Sequence, residues 1–173
     1  MLSDSKAQWY AIRVKSNRER VTAVALRGKQ LDVLLPAQRT NRPGAAGPRE
    51  SLLFPGYLFC RFDVNRRLPI LTIPGVVHIV GFGNVPVPVD PVEIEGVRAM
   101  VESSLELMAF AYPPVGRKVQ IHAGPLRGVE GIILAHKGGD KIVVSISLLQ
   151  RCVSVAVERE GVAGLDIAVR VSA

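Results

Sequence analysis

Three of the chain's nine aromatic residues fall within six positions, at Phe54, Tyr57 and Phe59, around the turn pair Pro55-Gly56. A concave patch of such side chains can take up a partner's helix by apolar contact. Tyr57 suits that task well, because its ring can be buried while its hydroxyl still finds a polar partner. Trp9 is a further candidate for the same patch. The competing reading for each ring is ordinary core packing, since alternate residues of a strand point inward.

A second set is cationic: Lys15, Arg18, Arg20 and Arg27, with Asn17 among them. Arg presents a planar fork to phosphate or to a guanine edge, Lys acts as a point charge, and an Asn amide can read a base. Such a set would contact nucleic acid with an affinity that falls steeply as salt rises. A solvated helix face is the plain alternative. Arg66, Arg67 and Leu68 form a third set, suited to pairing with acidic groups or simply to solvating a helix start.

The remaining chemistry is sparse. His78, His122 and His136 are scattered, with no Cys or carboxylate at ligand spacing, so neither a metal nor another cofactor is expected. No Ser/His/Asp set or phosphate loop occurs, and Gly81-Phe82-Gly83 lacks the third glycine and following helix of a dinucleotide fingerprint. Catalysis is therefore not expected. Cys60 and Cys152 cannot build a disulfide framework and read as inert core residues of a reduced, cytoplasmic protein.

These residues need a scaffold. The 173 residues suit one ordinary domain or two small ones, and a 48% apolar share is enough for a buried core. The longest apolar runs, such as residues 76–80, fall far short of the roughly 20 that a membrane span needs, so no membrane role is expected. Residues 1–8 are polar and do not read as a signal peptide. The net charge of +7 is uneven: residues 1–67 hold 13 basic and 5 acidic side chains, residues 68–109 one and five, and the rest eight and five. An anionic partner should therefore meet the first third of the chain.

Residues 9–15 read as a strand. Ser16 and Glu19 form a capping-box pattern that starts a helix. Its buried face would hold Val21, Val24, Ala25, Gly28 and Leu31, with Arg18, Arg20, Arg27 and Lys29 pointing outward. Residues 32–39 form a second extended segment, and 41–48 a Pro/Gly-rich loop. A strand over 52–62 is interrupted at Pro55-Gly56 by an edge, bulge or bend. Residues 76–82 are another strand. Asp90 and Pro91 open a helix whose stripe runs through Ile94, Val97, Val101 and Leu105, ending near Met108. Beyond a hinge at 111–114, short β segments at 118–121, 131–136, 141–146 and 153–157 suggest a small barrel. Residues 165–171 alternate like a strand that extends the barrel edge or pairs with another chain.

Trp9-Tyr10, the run LLFPGYLF from Leu52 and PGVVHIVGFG from Pro74 are similar to the N-terminal domain of the NusG family. The run GRKVQIHAGPLRGVEGII from Gly116 resembles that family's KOW motif, in which Gly124, Gly128 and Gly131 would serve turn and packing geometry. The resemblance spans roughly residues 8–160, in the right order. It implies an α+β protein. An N-terminal domain over 7–109, a small, mainly antiparallel sheet flanked by helices, leads through a linker at 110–115 to an SH3-like five-stranded barrel at 116–160. An extension follows at 161–173.

By the same resemblance the protein is a bacterial transcription elongation or antitermination factor acting as a monomer. Trp9, Phe54, Pro55, Tyr57 and Phe59 would bind the clamp helices of RNA polymerase, and Arg66, Arg67 and Leu68 the opposite gate loop. Lys15, Asn17, Arg18, Arg20 and Arg27 would contact non-template DNA. Ile132, Leu148 and Leu149 would form the barrel's face for Rho or a small-subunit ribosomal protein, with Ile132 alternatively a core residue. The cationic helix, and Leu149 where the family pattern has an aromatic, lean toward the specialised RfaH-like branch. In that branch small hydroxyl residues stand where this chain has Arg66, Arg67 and Leu68. The alternative is an RNA- or ribosome-binding module working through Lys118, Arg127 and Lys137 of the barrel. Residues 141–157 read as strand, so a stable barrel rather than a helical alternative is expected.

Overall fold

β-branched and aromatic runs become the described strands, and the Pro-Gly pairs at 55–56 and 74–75 become breaks between them. The computed structural model describes residues 7–40, 49–103, 105–111, 117–121, 126–136, 139–157 and 167–168. In chain order the first elements are β1 (Gln8–Val14), α1 (Glu19–Gly28), β2 (Asp32–Leu34), β3 (Ala37–Thr40), β4 (Arg49–Leu52) and β5 (Tyr57–Phe62). Next come α2 (Leu68–Leu71), β6 (Val76–Ile79), β7 (Gly81–Phe82), β8 (Val85–Pro86) and α3 (Pro91–Glu102). The last are β9 (Leu107–Ala111), β10 (Arg117–Ile121), β11 (Glu130–His136), β12 (Gly139–Ile146), β13 (Arg151–Val157) and β14 (Ile167–Ala168).

Two compact units result, each drawn from two stretches: Met1–Pro36 with Phe54–Pro91, and Ala37–Leu53 with Val92–Ala173. The sequence reading instead drew one cut, between 109 and 116. The segment read as one strand over 52–62 is two, β4 and β5, which belong to different sheets. The segment at 32–39 likewise divides into β2 and β3, with Pro36 between them. β3 and β4 pair with each other, Ala37 opposite Leu52 and Arg39 opposite Glu50. The Gln38 amide holds β9: its Nε2 donates to the Leu107 carbonyl (2.6 Å), and its Oε1 accepts from the Leu107 N–H (2.9 Å).

In the first unit an antiparallel sheet has the order β2-β5-β1-β6. Pairing sets Tyr10 opposite Cys60, Ile12 opposite Leu58, and Ile12 opposite Ile79 on the other side. Side chains directly opposite share a face, so one face carries Tyr10, Ile12, Val14, Leu58, Cys60 and Phe62, which pack with Ala23 and Leu26 of α1 and with Ile70 and Ile73.

Two helix expectations are corrected. α1 begins at Glu19 rather than Ser16: Asn17 takes a left-handed φ of 64°, and Arg18 at the cap makes no side-chain cap bond. The helix is also rotated from the face read in the sequence. It buries Glu19, Thr22, Ala23 and Leu26, leaving Val21 57% and Val24 66% exposed. Leu is the largest apolar side chain in α1, and the rotation that buries Leu26 turns the two valines outward. α3 starts at Pro91 as expected and buries Ile94, Val97 and Met100, but it ends at Glu102. The Ser103 hydroxyl there donates to the Met100 carbonyl at 2.7 Å and accepts from the Leu105 N–H at 3.4 Å. The stripe through Leu105 to Met108 is therefore not helical, and Met108 lies in β9.

The second unit holds an antiparallel sheet in the order β14-β10-β11-β12-β13-β9. Of the expected linker, Phe110 and Ala111 belong to β9, and 112–115 lie outside the described residues. Ile167 and Ala168 pair with Ile121 and Gln120, so these two residues of the alternating tail extend a sheet edge. Among the described residues no helix is long and apolar enough to cross a membrane.

Candidate functional site

The geometry of the site starts where β1 ends. Its last residues are held by two Pro-Gly turns: the Val14 N–H donates to the Gly56 carbonyl at 3.0 Å, and the Lys15 N–H to the Gly75 carbonyl at 2.8 Å. Both glycines have positive φ, +80° at Gly56 and +106° at Gly75, a region that side-chain-bearing residues rarely enter. α1 starts over both turns. The Glu19 carboxylate, which the sequence reading assigned to a capping box, accepts the Gly56 N–H at 2.9 Å in a buried setting. The second turn comes so close to Thr22 and Arg18 that a Cβ on Gly75 would lie 2.6 Å from Thr22 Oγ1.

Tyr57 follows the first turn, its N–H donating to the Phe54 carbonyl at 3.0 Å. Register places Arg13 opposite Tyr57, Ala11 opposite Phe59 and Trp9 opposite Arg61, on the sheet face away from the α1 core. The Arg13 guanidinium lies 4.7 Å from the centre of the Tyr57 ring and donates through Nη1 to the Gly56 carbonyl at 3.4 Å. Of the aromatic cluster, Phe54 is 1% and Phe59 0% exposed, stacked edge to face with centroids 5.5 Å apart. Trp9 is also buried, Tyr57 half-buried and Pro55 exposed.

The cationic set is divided. Lys15, Asn17 and Arg18 lie exposed in the turn that leads into α1. Arg20 and Arg27, seven residues apart, share a flank of the helix, with Arg27 Nη2 donating to the Val33 carbonyl at 3.2 Å. Arg66 closes a short 3-10 turn (Val64–Arg66), Arg67 precedes α2 and Leu68 opens it; all three are exposed. Asp63 fixes that turn, its Oδ1 accepting from the Asn65 N–H and Nδ2, each at 3.0 Å. An open groove of about 420 Å³ runs beside it, lined by Lys29, Asp32, Arg61, Asp63, Arg66 and Ile70 among others.

In the second unit Ile132 is half-buried and sits opposite Val143. Leu149 is half-buried in a 3-10 turn (Ser147–Leu149), and the side chain of Leu148 lies outside the described residues. That turn is tied to α3, as Glu93 Oε1 accepts from the Ser147 N–H at 3.1 Å and from its hydroxyl at 2.5 Å. Gly128 has a φ of +88°, while Gly124, His122, Lys137 and the hinge at 112–114 lie outside the described residues.

Both cysteines are buried. Burial and the Asp32 charge push the Cys60 thiol up to about 12, and burial pushes Cys152 up to about 11. A thiol kept protonated and out of solvent is a poor nucleophile. Both should resist a disulfide reagent in the folded protein at mildly alkaline pH and react at once in denaturant. Fast reaction of either in the native state would contradict their placement. Among the described residues no group of three His, Cys, Asp or Glu side chains could hold a metal.

Arg13 and Glu19 are the site residues that the sequence reading missed. Strand alternation assigns Arg13 to a face of β1, but only the register that sets it opposite Tyr57 brings it to the site. Glu19 carried no such local signal, because its bond spans 37 positions.

The fold thus comprises a helix-flanked antiparallel sheet with exposed cationic turns in one unit and a second antiparallel sheet in the other. The family model for "Transcription termination factor nusG" matches residues 7–98, so the chain belongs to the NusG family of transcription termination and antitermination factors. It is 28% identical over 167 residues to the transcription termination/antitermination protein NusG of Thermus thermophilus, covering 80% of this chain and 89% of that one. Its fold is similar to that of Thermotoga maritima NusG, with a TM-score of 0.51 at 20% identity, over 90% of this chain and 96% of that one.

Proposed function

We propose that this protein binds the clamp helices of bacterial RNA polymerase through the face that carries Tyr57, and that it suppresses pausing or termination in the cytoplasm. The observation that carries this reading is the placement of Tyr57. It is half-buried beside exposed Pro55, with its ring held beneath the Arg13 guanidinium, while its neighbours Phe54 and Phe59 are buried. A half-buried Tyr held by its neighbours is the residue type enriched among the anchors of protein interfaces. Trp9, Phe54 and Phe59 of the same aromatic set are buried, and Arg66, Arg67 and Leu68 form an exposed run for the gate loop.

Lys15, Asn17 and Arg18 are the set for non-template DNA, since they project from a single turn, with Arg20 and Arg27 adding positive potential along α1. The second unit, read as an SH3-like KOW barrel, takes a further partner such as Rho or a small-subunit ribosomal protein around Ile132, Leu148 and Leu149. Leu149 in place of an aromatic weakens that contact and favours a specialised factor.

Tyr57→Ala is expected to weaken binding to core polymerase, or to isolated clamp helices, by about 10-fold or more, the scale of an interface anchor. Unchanged affinity in a folded variant would remove the site.

A further inference from the structure

We infer that Arg13 and Glu19 are positioning residues that hold the Pro55-Gly56 turn, and through it Tyr57, in the pose that meets the partner. The inference rests on the reading of Tyr57 as the polymerase contact. The Gly56 residue is held at both polar groups. Its N–H donates to Glu19 at 2.9 Å, and its carbonyl accepts from the Val14 N–H at 3.0 Å and from Arg13 at 3.4 Å. The same Arg13 guanidinium lies 4.7 Å from the centre of the Tyr57 ring. A Cβ on Gly56 would be strained at its φ of +80° and would displace that guanidinium, so the glycine lets Arg13 close over the turn.

Stability alone gives a weak account of these choices. Glu19 is 5% exposed and belongs to the buried face of α1, where a carboxylate is costly and an apolar residue of similar size is often as good or better. What the carboxylate adds is a directed acceptor for one N–H of one turn. Arg13 adds a planar cation that contacts a ring face and a carbonyl at once, which a lysine cannot reproduce. Together they restrict the ring before the partner arrives. Contacts organised in advance avoid an ordering cost at the moment of binding.

The test is a double-mutant cycle on the full chain, with isolated clamp helices as the probe and thermal unfolding measured alongside. Glu19→Leu keeps the bulk and loses the acceptor, Glu19→Gln restores an acceptor, and Arg13→Met removes the guanidinium from a half-buried position without opening the core. Glu19→Leu and Arg13→Met should each weaken binding by about 10-fold, and Glu19→Gln by no more than about 3-fold. In a Tyr57→Ala background the same changes should have almost no further effect, which a merely structural role would not produce.

Equal losses with and without Tyr57, or no loss on either Arg13→Met or Glu19→Leu, would overturn the inference while leaving the site intact. A neutral Tyr57→Ala would overturn the site reading and the inference with it. Should Glu19→Leu fail to fold, the Arg13→Met arm of the cycle decides alone.

Discussion

Phe59→Ala should lower stability by about 3–5 kcal/mol. The ring is fully buried and meets Phe54 edge to face, an arrangement that contributes beyond its buried area. Its partner across the sheet is Ala11, itself fully buried and too small to fill the space that truncation would leave. The cavity would persist, and the loss would scale with its volume. Urea unfolding followed by circular dichroism gives the number, with Tyr57→Ala as the comparison. A loss under about 1 kcal/mol would mean that Phe59 acts at a surface rather than in the interior. The pair thus separates packing from contact within one short stretch, where composition alone left both readings open.

Gly75→Ala should lower stability by about 1–3 kcal/mol. A φ of +106° is strained for any L side chain, and the added Cβ would lie 2.6 Å from Thr22 Oγ1 and 3.3 Å from Arg18 Cβ. Thr22 is buried and β-branched, so it cannot swing aside cheaply. Relief must come from moving the turn, which would break the bond from the Lys15 N–H to the Gly75 carbonyl. Faster hydrogen exchange at the Lys15 amide would report that break directly. Gly83→Asn is the control. Gly83 has a φ of +58°, which Asn tolerates, and nothing lies within 4 Å of its absent Cβ. Little change is expected there, and equal damage at both positions would show that strain at Gly75 is not the cause.

What the sequence made legible was local. The β-branched runs became strands, Pro91 opened α3, and the Pro-Gly pairs became turns, because each depends on residues within a few positions. Non-local facts stayed hidden. The split of 52–62 between two sheets depends on which strands find each other, and no feature inside that segment encodes its partner. α1 had two candidate stripes of small and medium apolar residues, and tertiary packing of Leu26 together with the Glu19 bond selected between them. The same Glu19, at the right distance from Ser16, imitated a capping residue while serving a turn much further along the chain. At the site, residue types pointed to Tyr57. The pair that holds it emerged only when register set β1 beside β5.

The place of β1 in its sheet also bears on how the chain is made. Of the four strands in this sheet β1 is made before the others, yet it is an interior one, with Gln8 to Arg13 facing Phe62 to Tyr57 on one side and Ile12 facing Ile79 on the other. A nascent chain emerges from its N-terminus. One edge of β1 therefore stays unpaired, even after β5 has joined the other, until the second Pro-Gly turn and β6 have cleared the ribosome tunnel. A slow codon placed far enough beyond Ile79 for β6 to have left the tunnel would give this sheet time to close before the rest of the second unit is made, whereas an earlier one would hold it half-assembled.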